Sequence, residues 1–209
     1  MRKFGKTAAV FCVCMLLLAG CGGATVPDTV DTTSVLVSAD GQITVWLVGD
    51  FGSADYNLSE LTTQAVNEVS EFNAANGIAD GISVERVEAV QDNGGKVAVI
   101  YHFDGWENCT KFIGNRLFYG TNELFYGTVG EAVEKGYGSN VIMKNVKDGT
   151  LLSEQQLKQE TDKKLIVTDI KANIYYPGTV SCISDGASVN EDGSIDSSGA
   201  EGLVYILLK

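Results

Sequence analysis

The residue with the clearest chemical assignment is Cys21, which ends the tetrapeptide Leu18-Ala19-Gly20-Cys21. A thiolate is a strong nucleophile and can be alkylated to a thioether. The two small residues before it let the chain enter a peptidase site. An apolar run at 8–18 precedes them, and three basic residues lie within the first six positions. This arrangement predicts a modified cysteine behind a cleavable leader.

The first 21 residues resemble a bacterial lipoprotein signal peptide, and all four lipobox positions match 18–21. The apolar run is about half the roughly 20 residues that a membrane-spanning helix needs, as expected of a signal-peptide core. The resemblance implies cleavage after residue 20, a diacylglyceryl group with acyl chains such as palmitate on Cys21, and a position on the extracytoplasmic side of the cell membrane. An ordinary secretory signal with an incidental cysteine is the alternative.

Charge limits the partners of the mature chain. Residues 1–20 contain three basic residues and no acidic ones, so their removal leaves 12 Lys and Arg against 27 Asp and Glu, a net charge of -15. Such a surface repels phosphate backbones and anionic headgroups. We therefore expect no nucleic-acid partner and membrane attachment only through the lipid at Cys21. An envelope protein or a wall polymer is the expected kind of partner.

The stretch Asn190-Glu191-Asp192-Gly193-Ser194-Ile195-Asp196 is the metal candidate of the sequence. Alternate oxygen ligands before a glycine resemble the middle of a calcium-binding loop, with Asn190, Asp192 and Asp196 as ligands. The stretch departs from that pattern at both ends, because residue 188 is Ser and the twelfth position is Gly199. Acid-rich turns are common between strands. We therefore favour a turn without metal and expect no cofactor.

The sequence assigns no catalytic residue. The single histidine, His102, has no second histidine with which to form a metal site, and we interpret it as structural. Residues 136–140 fail the nucleophile-elbow pattern, and neither a phosphate loop nor a dinucleotide fingerprint occurs. Paired carboxylates stay open as a catalytic site, but acidic residues are so abundant that no particular pair is indicated.

Cys109 and Cys182 are the other cysteines of the mature chain. An exported domain can form a disulfide. Each cysteine also lies in an apolar stretch, where a small thiol packs well. We favour two free thiols over a bridge.

The elements that position these residues form one domain. After the signal peptide at 1–20, residues 21–34 are small and polar and predict a lipidated flexible tether. Residues 35–209 have the size of a single globular domain. Its strongest pattern is a helix at about 58–75 with one apolar stripe. The stripe contains Leu58, Leu61, Ala65, Val69 and Phe72.

The helix ends carry their own signals. Asn57 followed by Glu60 predicts a capping box, and Asn76-Gly77 predicts a left-handed stop. Two short helices are expected at 106–113, capped by Asp104, and at 129–135, capped by Thr128.

Strand patterns occupy much of the remaining chain. They lie at 43–48, 82–90, 96–103, 140–146, 164–169, 172–176, 179–184 and 203–208. The strands at 82–90 and 96–103 form a predicted hairpin. The alternation of apolar residues shifts by one position near Glu85-Arg86, which predicts a bulge there. The regular spacing of a doubly wound fold is missing. We therefore predict an α+β fold with a mostly antiparallel sheet, the long amphipathic helix packed on it, and several short helices.

The segment Leu124-Phe125-Tyr126-Gly127-Thr128, with Glu131-Ala132 and Gly136-Tyr137, resembles a stretch in small uncharacterised lipoproteins of Gram-positive anaerobic bacteria. That resemblance implies no activity. Adjacent aromatic residues on a strand point to opposite faces. We therefore expect one member of each pair, at 118–119 and at 125–126, in the core rather than in a platform for sugars or peptides.

Two functions fit these observations. The first is a membrane-anchored extracytoplasmic lipoprotein that acts as a non-catalytic binding or interaction module. The alternative is a small cell-envelope hydrolase that acts on glycan with paired carboxylates. A shallow apolar patch on the acidic surface would favour the module. A pocket with two acids about 5 to 9 Å apart would favour the hydrolase.

Overall fold

The computed structural model describes residues 24–50, 57–90, 95–114 and 122–209. Within them the chain forms thirteen strands and four helices. The strands are β1 Ser34–Val37, β2 Ile43–Asp50, β3 Ile82–Ala89, β4 Lys96–Phe103, β5 Leu124–Thr128, β6 Met143–Asn145, β7 Leu151–Leu152, β8 Lys164–Thr168, β9 Asn173–Tyr175, β10 Val180–Ser184, β11 Ser188–Val189, β12 Ile195–Asp196 and β13 Val204–Leu208. The helices are α1 Leu58–Asn76, α2 Trp106–Ile113, α3 Val129–Glu134 and α4 Glu154–Leu157.

The strands form two sheets. Sheet A has the order β11-β12-β9-β1-β2-β4-β3, and sheet B has the order β5-β8-β13-β10-β6-β7. Neighbouring strands are antiparallel except β1 and β9, which are parallel. The α+β prediction is confirmed. The expectation of one sheet is wrong, because the strands divide between two layers.

Three apolar clusters pack on the faces of the two sheets. The main cluster lies between the sheets and contains Val45 and Val99 of sheet A with Ile166 and Ile206 of sheet B. The second lies on the other face of sheet B and is covered by α3 and α4. The third, which we call the Trp46 cluster, lies on the other face of sheet A and consists of Trp46, Ala98 and Ile100.

The first described residues pack against sheet A. Val26 and Val30 cover the Trp46 cluster. The first strand begins at Ser34, which is fully buried. The part of the expected tether that the structure describes, residues 24–34, therefore contacts the domain.

Helix α1 follows the local sequence signals. Its N-cap is Asn57, whose side chain accepts a hydrogen bond from the Ser59 amide at 2.8 Å. This bond goes to Ser59 rather than to Glu60, so the expected capping box is not what begins the helix. Gly77 ends α1 in the left-handed conformation, with φ of 65°. Ala65 is buried on the side that meets the sheet.

The remaining predicted elements agree with the structure in their main features. The β3–β4 register shifts between Val84 and Arg86, which confirms the bulge. A capping box of Thr128 and Glu131 begins α3, as predicted. The expected Asp104 cap of α2 is wrong, because Gly105 is the N-cap there and provides no side-chain hydrogen bond.

Candidate functional site

Cys21, the predicted lipid attachment site, lies outside the described residues, as does the signal peptide. Lipid attachment at Cys21 therefore stays a prediction. Among the helices that the structure does describe, none is long and apolar enough to cross a membrane.

The predicted calcium ligands lie in and beside the turn between β11 and β12. Asp192 Oδ1 accepts hydrogen bonds from the amide and hydroxyl of Ser194, at 2.9 and 2.6 Å. Asp196 accepts from the Ser198 amide at 2.8 Å, and Asn190 Nδ2 donates to the Ser194 hydroxyl at 3.0 Å. These side chains thus stabilise two successive turns. Within the described ranges, no three His, Cys, Asp or Glu side chains are grouped to hold a metal ion.

The Asp192 carboxyl makes a pH-dependent contribution to folding. Hydrogen bonds from Ser194 hold the pKa of Asp192 below its usual range. A carboxyl with a lowered pKa stabilises the fold above its ordinary pKa of about 4, and this contribution is lost as the pH falls through the lowered value. We expect the urea midpoint to fall less for D192N than for wild type between about pH 6 and pH 3. The effect is small because Asp192 is exposed.

The control for this measurement is E191Q, which removes one negative charge from the same turn. The midpoint of E191Q should follow wild type across the pH range. An equal fall in all three chains would show that Asp192 is not a source of the pH dependence.

Four other carboxyl groups with a lowered pKa also stabilise turns and helix ends. The largest cause is a hydrogen bond from Ser38 for Asp40, from the Thr128 amide for Glu131, from the Thr150 amide for Asp148, and from Lys158 for Glu154. The general acid of a glycosidase needs a raised pKa. The pKa values of these four groups are shifted the other way, which does not suit a general acid, and their hydrogen bonds stabilise local structure.

His102 and the two cysteines lie apart from one another in the fold. His102 is on β4, paired with Thr44 of β2, and half-buried. Cys109 belongs to the main cluster and Cys182 to the second cluster. Both are free and buried, in agreement with the interpretation from the sequence. Burial raises the pKa of the Cys109 thiol, which makes it a poor nucleophile.

The aromatic pair on β5 is divided between two clusters. Phe125 packs in the second cluster, with ring centroids 5.2 Å from Trp106 and 5.4 Å from Tyr137. Tyr126 packs on the opposite side, against the main cluster. The prediction for this pair is confirmed, whereas the pair at 118–119 lies outside the described residues.

Two grooves flank α1. The first has a volume of about 590 Å³ and is lined by polar residues of the helix. These are Ser59, Glu60, Thr63, Gln64, Asn67, Glu68 and Glu71. The second, of about 520 Å³, lies between α1 and β3 and includes Val66 and Ile82. Three carboxylates, those of Glu60, Glu68 and Glu71, therefore line the first groove along one face of α1.

An exposed apolar surface lies at the β6–β7 edge of sheet B. The exposed fractions are 61% for Ile142, 63% for Leu151 and 40% for Val146. Alternation puts Ile142 on the same side as Lys144, which pairs with both Leu151 and Ile183. Ile183 packs against the main cluster. The side chains of Ile142 and Leu151 therefore lie on the side of sheet B that faces sheet A.

We call the exposed apolar side chains of this β6–β7 hairpin the open-edge surface. It consists of Ile142, Val146 and Leu151. Val189, which is 44% exposed, lies on β11, the edge strand of sheet A, where it pairs with the buried Ile195.

Comparison of the chain with models of protein families, with curated proteins and with solved structures gives no match.

Proposed function

We propose that this chain is a membrane-anchored extracytoplasmic lipoprotein that acts as a non-catalytic interaction module. A lipid at Cys21 holds it on the outer face of the cell membrane, and the open-edge surface binds another envelope protein. One observation carries the proposal: three large apolar side chains of the β6–β7 hairpin are exposed on a domain whose mature charge is -15. Apolar surface of this kind is typical of protein interaction sites.

The chemistry of the open-edge surface favours a protein over the other partners. Its side chains are aliphatic and gain free energy by leaving water, at about 25 cal/mol per Å² of buried area. Wall glycans present mainly hydroxyl groups, and anionic headgroups are repelled by the acidic domain. Lys144 and Lys147 are exposed beside the apolar residues and can pair with acidic groups at the rim of a protein interface.

The test uses the full chain with Cys21 intact, purified with its partners from detergent-solubilised membranes. A photocrosslinking amino acid at position 151 should capture a defined partner, and I142S/L151S should reduce co-purification of that partner at least tenfold. The control V66S/V133S makes the same kind of change at two other exposed sites, with exposed fractions of 47% and 37%. Equal recovery with I142S/L151S, or capture from position 66 instead of 151, would contradict the proposal.

The alternative is a small cell-envelope hydrolase that acts on glycan. The observation in its favour is the groove on α1, where Glu60, Glu68 and Glu71 share one helix face. Release of reducing sugar from purified cell wall by the wild-type chain, abolished in E60Q/E68Q/E71Q, would favour this alternative. We favour the interaction module because the open-edge surface is apolar and accessible.

We also infer that α1 acts as an amphipathic helix packed on sheet A. Burial of Ala65 and Val69, with Leu61 and Phe72 packed against the main cluster, supports this inference. The polar groove residues on its other side support it as well. In this arrangement α1 packs on β3, at the opposite edge of sheet A from β11.

A further inference from the structure

Residues 24–33, which we call the docked segment, follow the outer face of sheet A. Val26 and Val30 pack against the Trp46 cluster. At its start, Ala24 packs against the main cluster. A Cβ placed on Gly193 would lie 4.0 Å from the Cα and Cβ of Ala24. The segment therefore begins beside the β11–β12 turn.

Hydrogen bonds fix the other end of the docked segment. Lys96 Nζ donates to the Asp31 carbonyl at 2.9 Å. Asn173 Nδ2 donates to Thr32 Oγ1 at 3.1 Å. Apolar contacts near its start and polar contacts near its end hold the segment across the sheet.

Strand register defines the two ends of sheet A. Val37 pairs with Ile43 at the first end, and Asp50 pairs with Lys96 at the second. Because β9 is parallel to β1 and antiparallel to β12, the turn at 190–194 also lies at the first end. The docked segment thus starts at the first end and reaches the second.

Covalent geometry limits how far Cys21 lies from the first end. Three Cα-to-Cα steps separate Cys21 from Ala24, which span at most about 11 Å. Twelve free residues between Cys21 and the first strand would instead average about 20 Å and could extend much further.

We infer that the end of the domain formed by the turns at 38–42 and 190–194 faces the bilayer, and that the docked segment holds it there. The exposed Asp40, Glu191 and Asp192 in these turns do not attract the membrane, so the lipid and the docked segment alone hold this surface beside it. The inference rests on the proposed lipid attachment at Cys21. A domain held in this way lies close to the membrane in a single orientation, unlike a domain on a long flexible tether.

The test measures energy transfer from the lipidated full chain to a headgroup-labelled acceptor in phosphatidylcholine vesicles. A donor dye is attached to E191C at the first end or to A89C at the second, since both positions are exposed and the native Cys109 and Cys182 are buried. The two ends of β4 are separated by about 23 Å. We therefore expect clearly higher transfer from E191C than from A89C.

Two variants remove the restraint in different ways. V26S/V30S weakens the contact with the Trp46 cluster, and a ten-residue Gly-Ser insertion after residue 23 lengthens the chain without touching that contact. Each variant should lower the energy transfer from E191C and reduce the difference in transfer between E191C and A89C. The control V66S/V133S should preserve that difference.

Each outcome separates the two proposals. Equal transfer from both positions in the wild type, or a difference that both the substitution and the insertion leave intact, would overturn the inference while the anchor stands. A wild-type chain without lipid mass that fails to bind the vesicles would instead contradict the anchor itself.

Discussion

Replacing Phe112 by alanine is expected to lower the free energy of unfolding by about 3–5 kcal/mol. Phe112 is fully buried in α2. Its ring centroid lies 5.2 Å from that of Phe72 in α1, 5.3 Å from Tyr101 and 5.9 Å from Phe103, both in β4. One ring therefore joins two helices to sheet A. Alanine would leave a cavity that these large neighbours cannot close without moving.

Urea denaturation followed by fluorescence measures this loss. The control F112L keeps much of the volume and should be destabilised less than F112A. Because domains of this size are stable by only about 5–15 kcal/mol, the F112A effect is a large share of the total. If the free energy of unfolding falls by less than about 1 kcal/mol in F112A, Phe112 is not the residue that joins these elements.

The elements that could be predicted carry signals within a few residues of themselves. The helix at 58–75 combines a 3.6-residue apolar period with a capping Asn57 and a terminal Gly77, and the structure has α1 at Leu58–Asn76. The β3 bulge was visible as a slip in the alternation between Val84 and Val87. Both signals lie in the spacing of apolar residues along the segment itself, so they do not require knowledge of the partner strand.

The division into two sheets could not be predicted in this way. Alternation identifies a strand but does not say which strand pairs with it. β1 is not predicted, because its 4 residues are too few to show an alternation after the polar segment before Ser34. Its parallel partner β9 begins at Asn173, far away along the chain. Pairing over such a distance is determined by the whole core rather than by neighbouring residues.

The open-edge surface could not be predicted from the sequence for the same reason. Ile142 and Leu151 have the residue types of core positions, and nothing local distinguishes them from the buried Met143. They are exposed because they lie at the β6–β7 edge of sheet B, and a local pattern does not distinguish an edge strand from an inner one. The role of Asp192 was easier to predict, since an Asp-Gly pair between strands signals a turn whatever the rest of the fold does.

Replacing Cys21 by serine is expected to abolish the lipid anchor. In the wild type, intact mass should show a chain that begins at residue 21 and carries a diacylglyceryl group. The C21S chain should lack the lipid mass and stay uncut, because serine offers a hydroxyl where the modification needs a thiol. The control C14S makes the same change within the leader and should leave the mature, lipidated product unchanged.

The physical effect of losing this lipid is large. Each buried methylene contributes about 0.8 kcal/mol, and two acyl chains are needed for stable anchoring. The remaining leader has an apolar run of only 11 residues at 8–18, too short to span the hydrocarbon core. The domain carries a net charge of -15 and is repelled by anionic headgroups, so it supplies no replacement for the lipid. Membrane fractionation should therefore show C21S largely displaced from the membrane, and a C21S chain that fractionates and weighs like the wild type would contradict lipid attachment at this residue.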